Sequence, residues 1–238
     1  MMHLIETYGL YFLVGQYPNG PLGGLVLTLI LASLGLLLAL PLGVAFGLGR
    51  ISPLRWIRWP VSALVLVVRS TPLLMVVFWA YFFLPSLTGV KTGQFSTMLI
   101  ALVLFDGAFI AEIIRAGIQG LPPGQSEAAR ALGMSYFGAL RYVVMPQALR
   151  AMLPSLVNQF VVTIKDTTLG YIIGLQELVF VTSQINSLEF TKPAQIYLIC
   201  AATYFLLCFG LSRLAFWLER RLSASGSARR AAAAQVPA

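Results

Sequence analysis

The sequence predicts an all-α membrane protein with about five transmembrane helices. Of its 238 residues, 58% are hydrophobic and only 10% are charged, and the mean hydropathy is +0.85. Soluble domains usually carry about 25% charged residues. The apolar runs have the length of about 20 residues that a bilayer requires, and most arginines lie just outside those runs, as membrane topology demands.

Several other classes of function are disfavoured by residue usage. The net charge of +8 does not indicate nucleic-acid binding, because no basic stripe with interleaved aromatic residues occurs. Cys200 and Cys208 lie inside one apolar run without a CxxC spacing, which favours membrane packing. His3 is the only histidine, which argues against a histidine metal site or a Ser-His-Asp triad. No Lys or Arg precedes Arg50, so we expect the N-terminus to be retained and not cleaved as a signal peptide.

Five apolar runs predict the spans: 22–49, 60–85, 95–115, 151–180 and 194–217. Together they form one transmembrane domain over residues 22–217. In the first run Ala39, Gly43 and Gly47 are four residues apart, a spacing of small residues that lets another helix approach closely. The general abundance of Gly and Ala in membrane helices explains the same pattern equally well. Residues 1–21 form an N-terminal segment, and the low-complexity tail 218–238 is predicted to be disordered.

The distribution of Lys and Arg between the connections predicts the orientation. Two positions, Lys91 and Lys192, lie on one side. Eleven lie on the other: Arg50, Arg55, Arg58, Arg115, Arg130, Arg141, Arg150, Arg220, Arg221, Arg229 and Arg230. Because cytoplasmic loops carry the excess of Lys and Arg, the C-terminus and residues 116–150 are predicted to be cytoplasmic and the N-terminus periplasmic.

Residues 116–150 are the longest polar stretch between spans, and they have a helical pattern of their own. The sequence LPPG at 121–124 ends the preceding helix, and Ser126 is predicted to cap a new one with Glu127 at its positive end. Apolar residues then recur at helical spacing up to Arg141, near the expected C-terminus, and Pro146 begins another helix. We therefore predict an amphipathic helix of about four turns.

The same helix has a smooth surface of small residues, formed by Ala128, Ala129 and Gly133. A glycine inside a helix costs about 1 kcal/mol relative to alanine, which suggests a close approach of another group at Gly133. An interfacial helix resting on lipid is the alternative. The modest density of Lys and Arg favours a docking surface for a protein partner.

This stretch also carries a family resemblance. Glu127-Ala128-Ala129, then Gly133 and then Val143-x-Met145-Pro146, resembles the EAA motif of ABC-importer permeases, with Val143 in place of Ile and Met145 in place of Leu. The resemblance implies that residues 121–147, here called the coupling segment, contain the coupling helix that fits a groove on a cytoplasmic ATPase. Glu127, Ala128, Ala129, Gly133 and Pro146 are the expected ATPase-coupling residues.

Four further stretches resemble the polar amino acid subfamily of these permeases: Arg69-Ser70-Thr71-Pro72-Leu73 (RGTPL), Gly107-Ala108-Phe109 with Glu112 and Arg115 (GAY..E..R), Pro146-Gln147-Ala148 (PQA) and Lys165-Asp166-Thr167-Thr168-Leu169 (KDTSL). The resemblance implies a bacterial inner-membrane subunit that works with cytoplasmic ABC ATPases, a periplasmic amino-acid-binding protein and a second permease subunit, identical or paralogous. It most favours acidic amino acids and their amides as substrates, with basic amino acids as the alternative.

The chain has no G-x-x-x-x-G-K-[ST] motif, so we expect it to hydrolyse no ATP itself. It is predicted to be a transport subunit and not an enzyme, with no cofactor of its own and ATP bound by the partner ATPase. An intramembrane enzyme using Asp106 and Asp166 as paired acids is disfavoured, because Lys165 would keep Asp166 ionised. A passive channel would not need a coupling helix.

Polar residues at membrane depth are the candidates for a substrate pathway: Arg69, Ser70, Thr71, Asp106, Asn158, Gln159, Lys165, Asp166 and Thr167. Internal ion pairing of Lys165 or Arg69 with an aspartate is the structural alternative. Thr71-Pro72 is also expected to kink the second span, with a hydroxyl satisfying a freed carbonyl.

Overall fold

The computed structural model describes residues 2–89 and 91–233, and for residue 88 and residues 222–233 it describes the backbone only. The chain is helical and no strand occurs within that part. The α-helices are α1 (Met2–Val14), α2 (Gly24–Ile51), α3 (Arg55–Ser70), α4 (Leu73–Phe78), α5 (Leu84–Thr88), α6 (Gln94–Gln119), α7 (Gly124–Ala131), α8 (Tyr136–Ala139), α9 (Met145–Asp166), α10 (Leu178–Leu188) and α11 (Pro193–Ala233).

Helices α2 and α6 form the most extensive helix pair of the described chain. A Cβ atom at Gly47 would lie 2.7 Å from Cβ of Ile114, and one at Gly43 would overlap Ile110. Ala39 is fully buried in the same contact. The small-residue spacing therefore serves close helix packing, because any side chain at these positions would separate the two helices.

The second predicted span is broken. Helix α3 and the helical stretch Leu73–Leu87 meet at an angle of 103°. Pro72 has no N–H to continue the helix, and the Thr71 hydroxyl donates a 2.9 Å hydrogen bond to the carbonyl of Val67. The kink and the role of the threonine are confirmed, although the bend is a right-angled turn of the chain.

Two short π-helical segments, Trp79–Phe83 and Leu140–Val144, each come just before a proline. In an α-helix the N–H groups at Pro85 and Pro146 would donate to the carbonyls of Tyr81 and Tyr142, and proline has no such group. The wider π turn accommodates the missing bond without ending the helix. Pro146 thus lies inside a continuous helical stretch that starts at α8, so the prediction that it begins a new helix is wrong.

The fourth predicted span, 151–180, is corrected. Helix α9 begins at Met145 and ends at Asp166, and Thr167–Ile173 is a 3₁₀-helix. The hydroxyl of Thr167 donates to the carbonyl of Ile164 at 2.7 Å, an example of the local hydrogen bonds that compete with the α-helical pattern. By length and mean hydropathy, three described helices suffice to cross a membrane, and four do when the bent pair counts as one.

The two ends of the chain contain more helix than predicted. Helix α1 lies within the N-terminal segment 1–21 and buries Leu4 and Phe12 against α10 and α11. Glu177 is fully buried at the start of α10, where its carboxylate accepts hydrogen bonds from the N–H groups of Val179 and Phe180 and from the hydroxyl of Tyr204. Helix α11 continues through residue 233, so residues 218–233 are helical and not disordered as predicted. Residues 234–238 lie outside the described part.

Candidate functional site: the coupling segment and the polar residues of the bundle

The coupling segment begins with α7, which is two turns long. Pro123 precedes the helix, so the predicted cap at Ser126 is wrong: Ser126 is already inside the helix, with its N–H donating to the carbonyl of Pro123. Glu127 lies in the first turn, as predicted. Glu127 and Ala128 are exposed, whereas Ala129 is buried against the bundle. The helix therefore presents one face outward and uses Ala129 to pack inward.

Gly133 ends this helix and does not lie inside it. Its φ of +86° is in the left-handed region, which glycine adopts without steric cost. A Cβ added there would meet nothing within 4 Å, so the predicted close approach is wrong within the described chain. The glycine is required by backbone geometry, because the chain turns at this point before Ser135 caps the next helix through a bond from the N–H of Gly138.

The predicted four-turn helix is therefore two helices with a turn between them. Arg141 belongs to the beginning of the second helical stretch and not to the C-terminus of the first. Leu132 and Phe137 are 87% and 76% exposed on either side of the turn. Two large apolar side chains exposed beside Glu127 and Ala128 form an outward surface suited to a protein contact.

A cavity of about 330 Å³ lies behind α7, between it and the ends of α2 and α6. Its walls are mainly apolar, with three polar residues: Gln119, Gln125 and Ser126. Gln147 at the start of α9 donates to Gln125 at 3.2 Å and to the carbonyl of Val143 at 2.9 Å. Within the coupling segment, α7 is thus linked to the start of α9 by one side-chain hydrogen bond, beside an incompletely filled space.

Asp106 connects α6 to α9 in the buried centre of the bundle. Its carboxylate oxygens each accept one hydrogen bond of 2.9 Å, from the amide of Gln159 and from the hydroxyl of Thr163. Asp106 and Thr163 have no exposed surface, and Gln159 is 8% exposed. The alternative that pairs Arg69 with this aspartate is wrong, because its partners are neutral.

Glu112 is the acceptor of an arginine cluster formed by Arg50 of α2, Arg69 of α3 and Arg115 of α6. Arg69 donates to its Oε2 at 3.0 Å and Arg115 Nε donates to its Oε1 at 3.1 Å, and Arg50 and a second nitrogen of Arg115 also donate. The Arg69 guanidinium lies over the ring of Phe109, 5.2 Å from its centroid. The cluster holds the ends of three helices together at the end of the bundle that carries α7.

The remaining pathway candidates do not converge on one described site. Asn158 and Lys165 are exposed on the outer face of α9, Asp166 is half-buried, and Thr167 is buried. Ser70 is exposed at the end of α3 and Thr71 is at the bend. Among the described residues, Lys165 makes no ion pair within 4 Å. The role of these residues in a pathway stays a prediction.

Comparison with known proteins decides the family. Residues 39–224 match the model of the binding-protein-dependent transport system inner membrane component. The chain belongs to this family. It is therefore a type I importer permease of the bacterial inner membrane, and permeases of this family work with an ATPase and a binding protein.

Individual relatives agree with this assignment. The chain is 40% identical over 218 residues to the glutamate transport system permease protein GluD of Corynebacterium glutamicum, covering 91% of this chain and 79% of that protein. It is 36% identical over 200 residues to the probable glutamine ABC transporter permease protein GlnP of Bacillus subtilis, covering 83% and 91%. The structure of an amino acid ABC transporter with histidines matches with a TM-score of 0.78 at 37% identity, covering 83% of this chain and 92% of that one. The MetNI methionine transporter, at 22% identity and a TM-score of 0.62, shares the fold.

Two features of the permease were not predicted from its sequence. Glu112 was expected as an acidic residue of the third span and of a family motif, but its contact with three arginines was not predicted. The available signal was that Arg50, Arg69 and Arg115 lie in or beside neighbouring spans, where a carboxylate is the favoured partner. Glu177 was missed altogether. An acidic residue directly before the apolar stretch LVFV is a pattern compatible with a helix cap, and this was the available signal.

Proposed function

We propose that this permease is the transmembrane subunit of an ATP-driven importer for a polar amino acid, with glutamate or aspartate, or glutamine, as the best-supported substrates. The observation that carries this proposal is the outward face of α7 with the EAA residues Glu127 and Ala128, in a chain whose relatives are glutamate and glutamine permeases. A periplasmic binding protein delivers the amino acid, and partner ATPases supply the energy.

The coupling segment is the route by which that energy enters. The excess of Lys and Arg on its side of the membrane supports a cytoplasmic position, with the N-terminus in the periplasm. The exposed side chains Leu132 and Phe137 offer apolar area to a groove on the ATPase, and Glu127 offers charge. Because Ala129 of α7 is buried against the bundle and only residues 120–123 separate α7 from α6, a displacement of α7 can move the end of α6.

Two substitutions in the coupling segment test this role. Glu127→Lys reverses the charge of the exposed first turn, and Gly133→Asp places a side chain at a backbone conformation that disfavours it. We expect both to abolish ATP-driven amino-acid uptake in vesicles reconstituted with the ATPase and the binding protein, while membrane insertion is unchanged.

Two matched control variants lie outside the coupling segment. Glu6→Lys makes the same charge reversal on exposed α1, and Gly89→Asp makes the same substitution at another open glycine with a φ of +69°. Both controls should retain uptake. Normal uptake by Glu127→Lys and Gly133→Asp would contradict the assignment of the coupling segment.

The polar outer face of α9 is proposed to contact the translocation pathway, together with a second permease subunit. Asn158→Leu removes a polar group that is exposed on this face. We expect reduced uptake with unchanged binding of the ATPase, measured by co-purification. Ser212→Leu, on an exposed face of α11, is the control that should transport normally. Unchanged uptake kinetics for Asn158→Leu would assign Asn158 to helix packing.

Basic amino acids are the second candidate substrates, because the matching solved structure is of an amino acid transporter with histidines. Uptake of labelled glutamate, glutamine, aspartate, histidine and arginine, each measured separately, distinguishes the two classes. Uptake of histidine and arginine, but not of glutamate, aspartate or glutamine, would overturn the acidic and amide assignment.

A further inference from the structure

The arginine cluster carries more positive charge than its own carboxylate balances. Three guanidinium groups surround Glu112, so the cluster has a surplus of two positive charges. All eight acidic residues of the chain lie within the part whose side chains are described, and the only one within 4 Å of these guanidinium groups is Glu112. The surplus lies on side chains that are only 16–34% exposed, where water compensates a charge less well than in bulk solvent, so an additional counter-charge is favoured.

The carboxylate of Glu112 is already saturated. Its Oε1 accepts two bonds from Arg115, and its Oε2 accepts one each from Arg50 and Arg69. The three arginines have many more N–H groups than these four bonds use, because each guanidinium carries five donors. The Nε of Arg50 is buried and has no hydrogen-bond partner in the described chain.

The cluster is also accessible and rigidly held. The side chains of Arg69 and Arg115 are 34% and 33% exposed, whereas that of Arg50 is 16% exposed. Phe109 supports the Arg69 guanidinium from one face, and Gln119 accepts a bond from Arg115. Two planar, exposed guanidinium groups fixed in this way match the geometry of a carboxylate or a phosphate group.

We propose that the arginine cluster is an oxyanion-binding site at the end of the bundle that carries α7. Its ligand is a carboxylate or phosphate oxygen pair held by Arg69 and Arg115, with Arg50 as the buried counter-charge. Two sources have this chemistry: the carboxylates of a transported amino acid, and the phosphate of an anionic phospholipid headgroup. The amino-acid source rests on the proposed function, whereas the lipid source does not.

The test measures stabilisation of the purified permease by anions, since a ligand that binds the folded state raises its melting temperature. The probes are L-glutamate, L-glutamine, inorganic phosphate and short-chain phosphatidylglycerol, with chloride at equal ionic strength and short-chain phosphatidylcholine as references. We expect at least one oxyanion to stabilise the wild type. Its half-maximal concentration should rise at least about tenfold in Arg69→Gln and in Arg115→Gln, the loss expected for a hydrogen bond between charged groups. Arg58→Gln, an exposed arginine of α3 outside the cluster, should behave like the wild type.

Glu112→Gln separates an anion site from a purely structural cluster. It raises the surplus from two positive charges to three, so the half-maximal concentration of the anion should fall. Arg69→Lys, which keeps the charge but loses the planar pair of donors, should lie between wild type and Arg69→Gln and provides the test if Glu112→Gln does not fold.

The pattern of responses identifies the ligand. Stabilisation by glutamate and glutamine indicates the amino acid, and stabilisation by phosphatidylglycerol but not phosphatidylcholine indicates lipid. The proposal would be overturned if wild type and Arg69→Gln had equal half-maximal concentrations for every oxyanion. It would also be overturned if chloride raised the melting temperature as much as the oxyanions do. No ATPase is present in this experiment, so its failure is distinguishable from a failure of the transport assignment.

Discussion

Helix α6 carries two carboxylates, six residues apart, in opposite electrostatic settings. Asp106 is fully buried and accepts hydrogen bonds from a neutral amide and a neutral hydroxyl on α9. Glu112 is 23% exposed and is surrounded by three arginines from three helices. The first arrangement joins one helix pair through hydrogen bonds to neutral groups, and the second joins charged side chains from three helices. The α6–α9 contact is therefore buried and neutral on one side, whereas the helix ends near α7 are held by partly exposed charges.

Glu112→Leu is expected to cause the largest loss of stability. Removing the carboxylate leaves three arginines facing one another, and losing one partner of a buried charge pair costs about 3–5 kcal/mol. Because Glu112 is partly exposed, we expect the lower end, about 3 kcal/mol. The measurement is thermal unfolding followed by a thiol-reactive dye, which reports exposure of the buried Cys200. A melting temperature equal to that of the wild type would show that the cluster contributes no stability.

A smaller loss is expected for Asp106→Leu. The amide of Gln159 loses its acceptor in the buried centre, which costs about 1–3 kcal/mol, while the Thr163 hydroxyl can donate its proton to the carbonyl of Gln159, which lies 3.0 Å away. The same unfolding assay measures the change. A larger loss than for Glu112→Leu would reverse the comparison and make the α6–α9 contact the dominant electrostatic contribution.

Asp106→Asn is expected to cost less than about 1 kcal/mol, because one acceptor oxygen remains for Gln159 or Thr163. Glu112→Gln keeps the shape of its side chain too, but it removes the charge that the arginines need. The stability difference between these two conservative variants measures the contribution of charge alone. Equal melting temperatures would indicate that hydrogen bonding, and not charge, holds the arginine cluster.

The smallest expected effect is the dependence of these stability differences on salt concentration. Raising the ionic strength from about 0.01 M to about 1 M shortens the Debye length from about 30 Å to about 3 Å. The stability difference between wild type and Glu112→Leu should shrink over this range, because the cluster is partly exposed. The difference between wild type and Asp106→Leu should stay constant, because its contacts are buried and neutral on one side. A parallel salt dependence of the two would remove the distinction.

Much of the architecture was predictable, and the errors have a common origin. The apolar runs predicted helices, the Ala39, Gly43 and Gly47 spacing predicted a close helix contact, and Thr71-Pro72 predicted a kink. The coupling segment was predicted by its pattern of residues, but as one helix of about four turns. A glycine tolerates a helical and a left-handed conformation equally well, so the sequence does not show that Gly133 turns the chain.

The sequence by itself determined that this chain is a helical membrane protein, which connections carry its positive charge, and which residues form the pattern that resembles the EAA motif. These properties depend on composition, periodicity and local spacing, all of which are present in a linear chain. The tertiary structure decided that Glu112, and not Asp106, is the partner of Arg69, and that Asp106 binds neutral groups on α9. Arg50, Arg69 and Glu112 are far apart in sequence, and their contact depends on how α2, α3 and α6 pack. Such pairings are set by packing geometry, because several acidic residues could satisfy the same arginine.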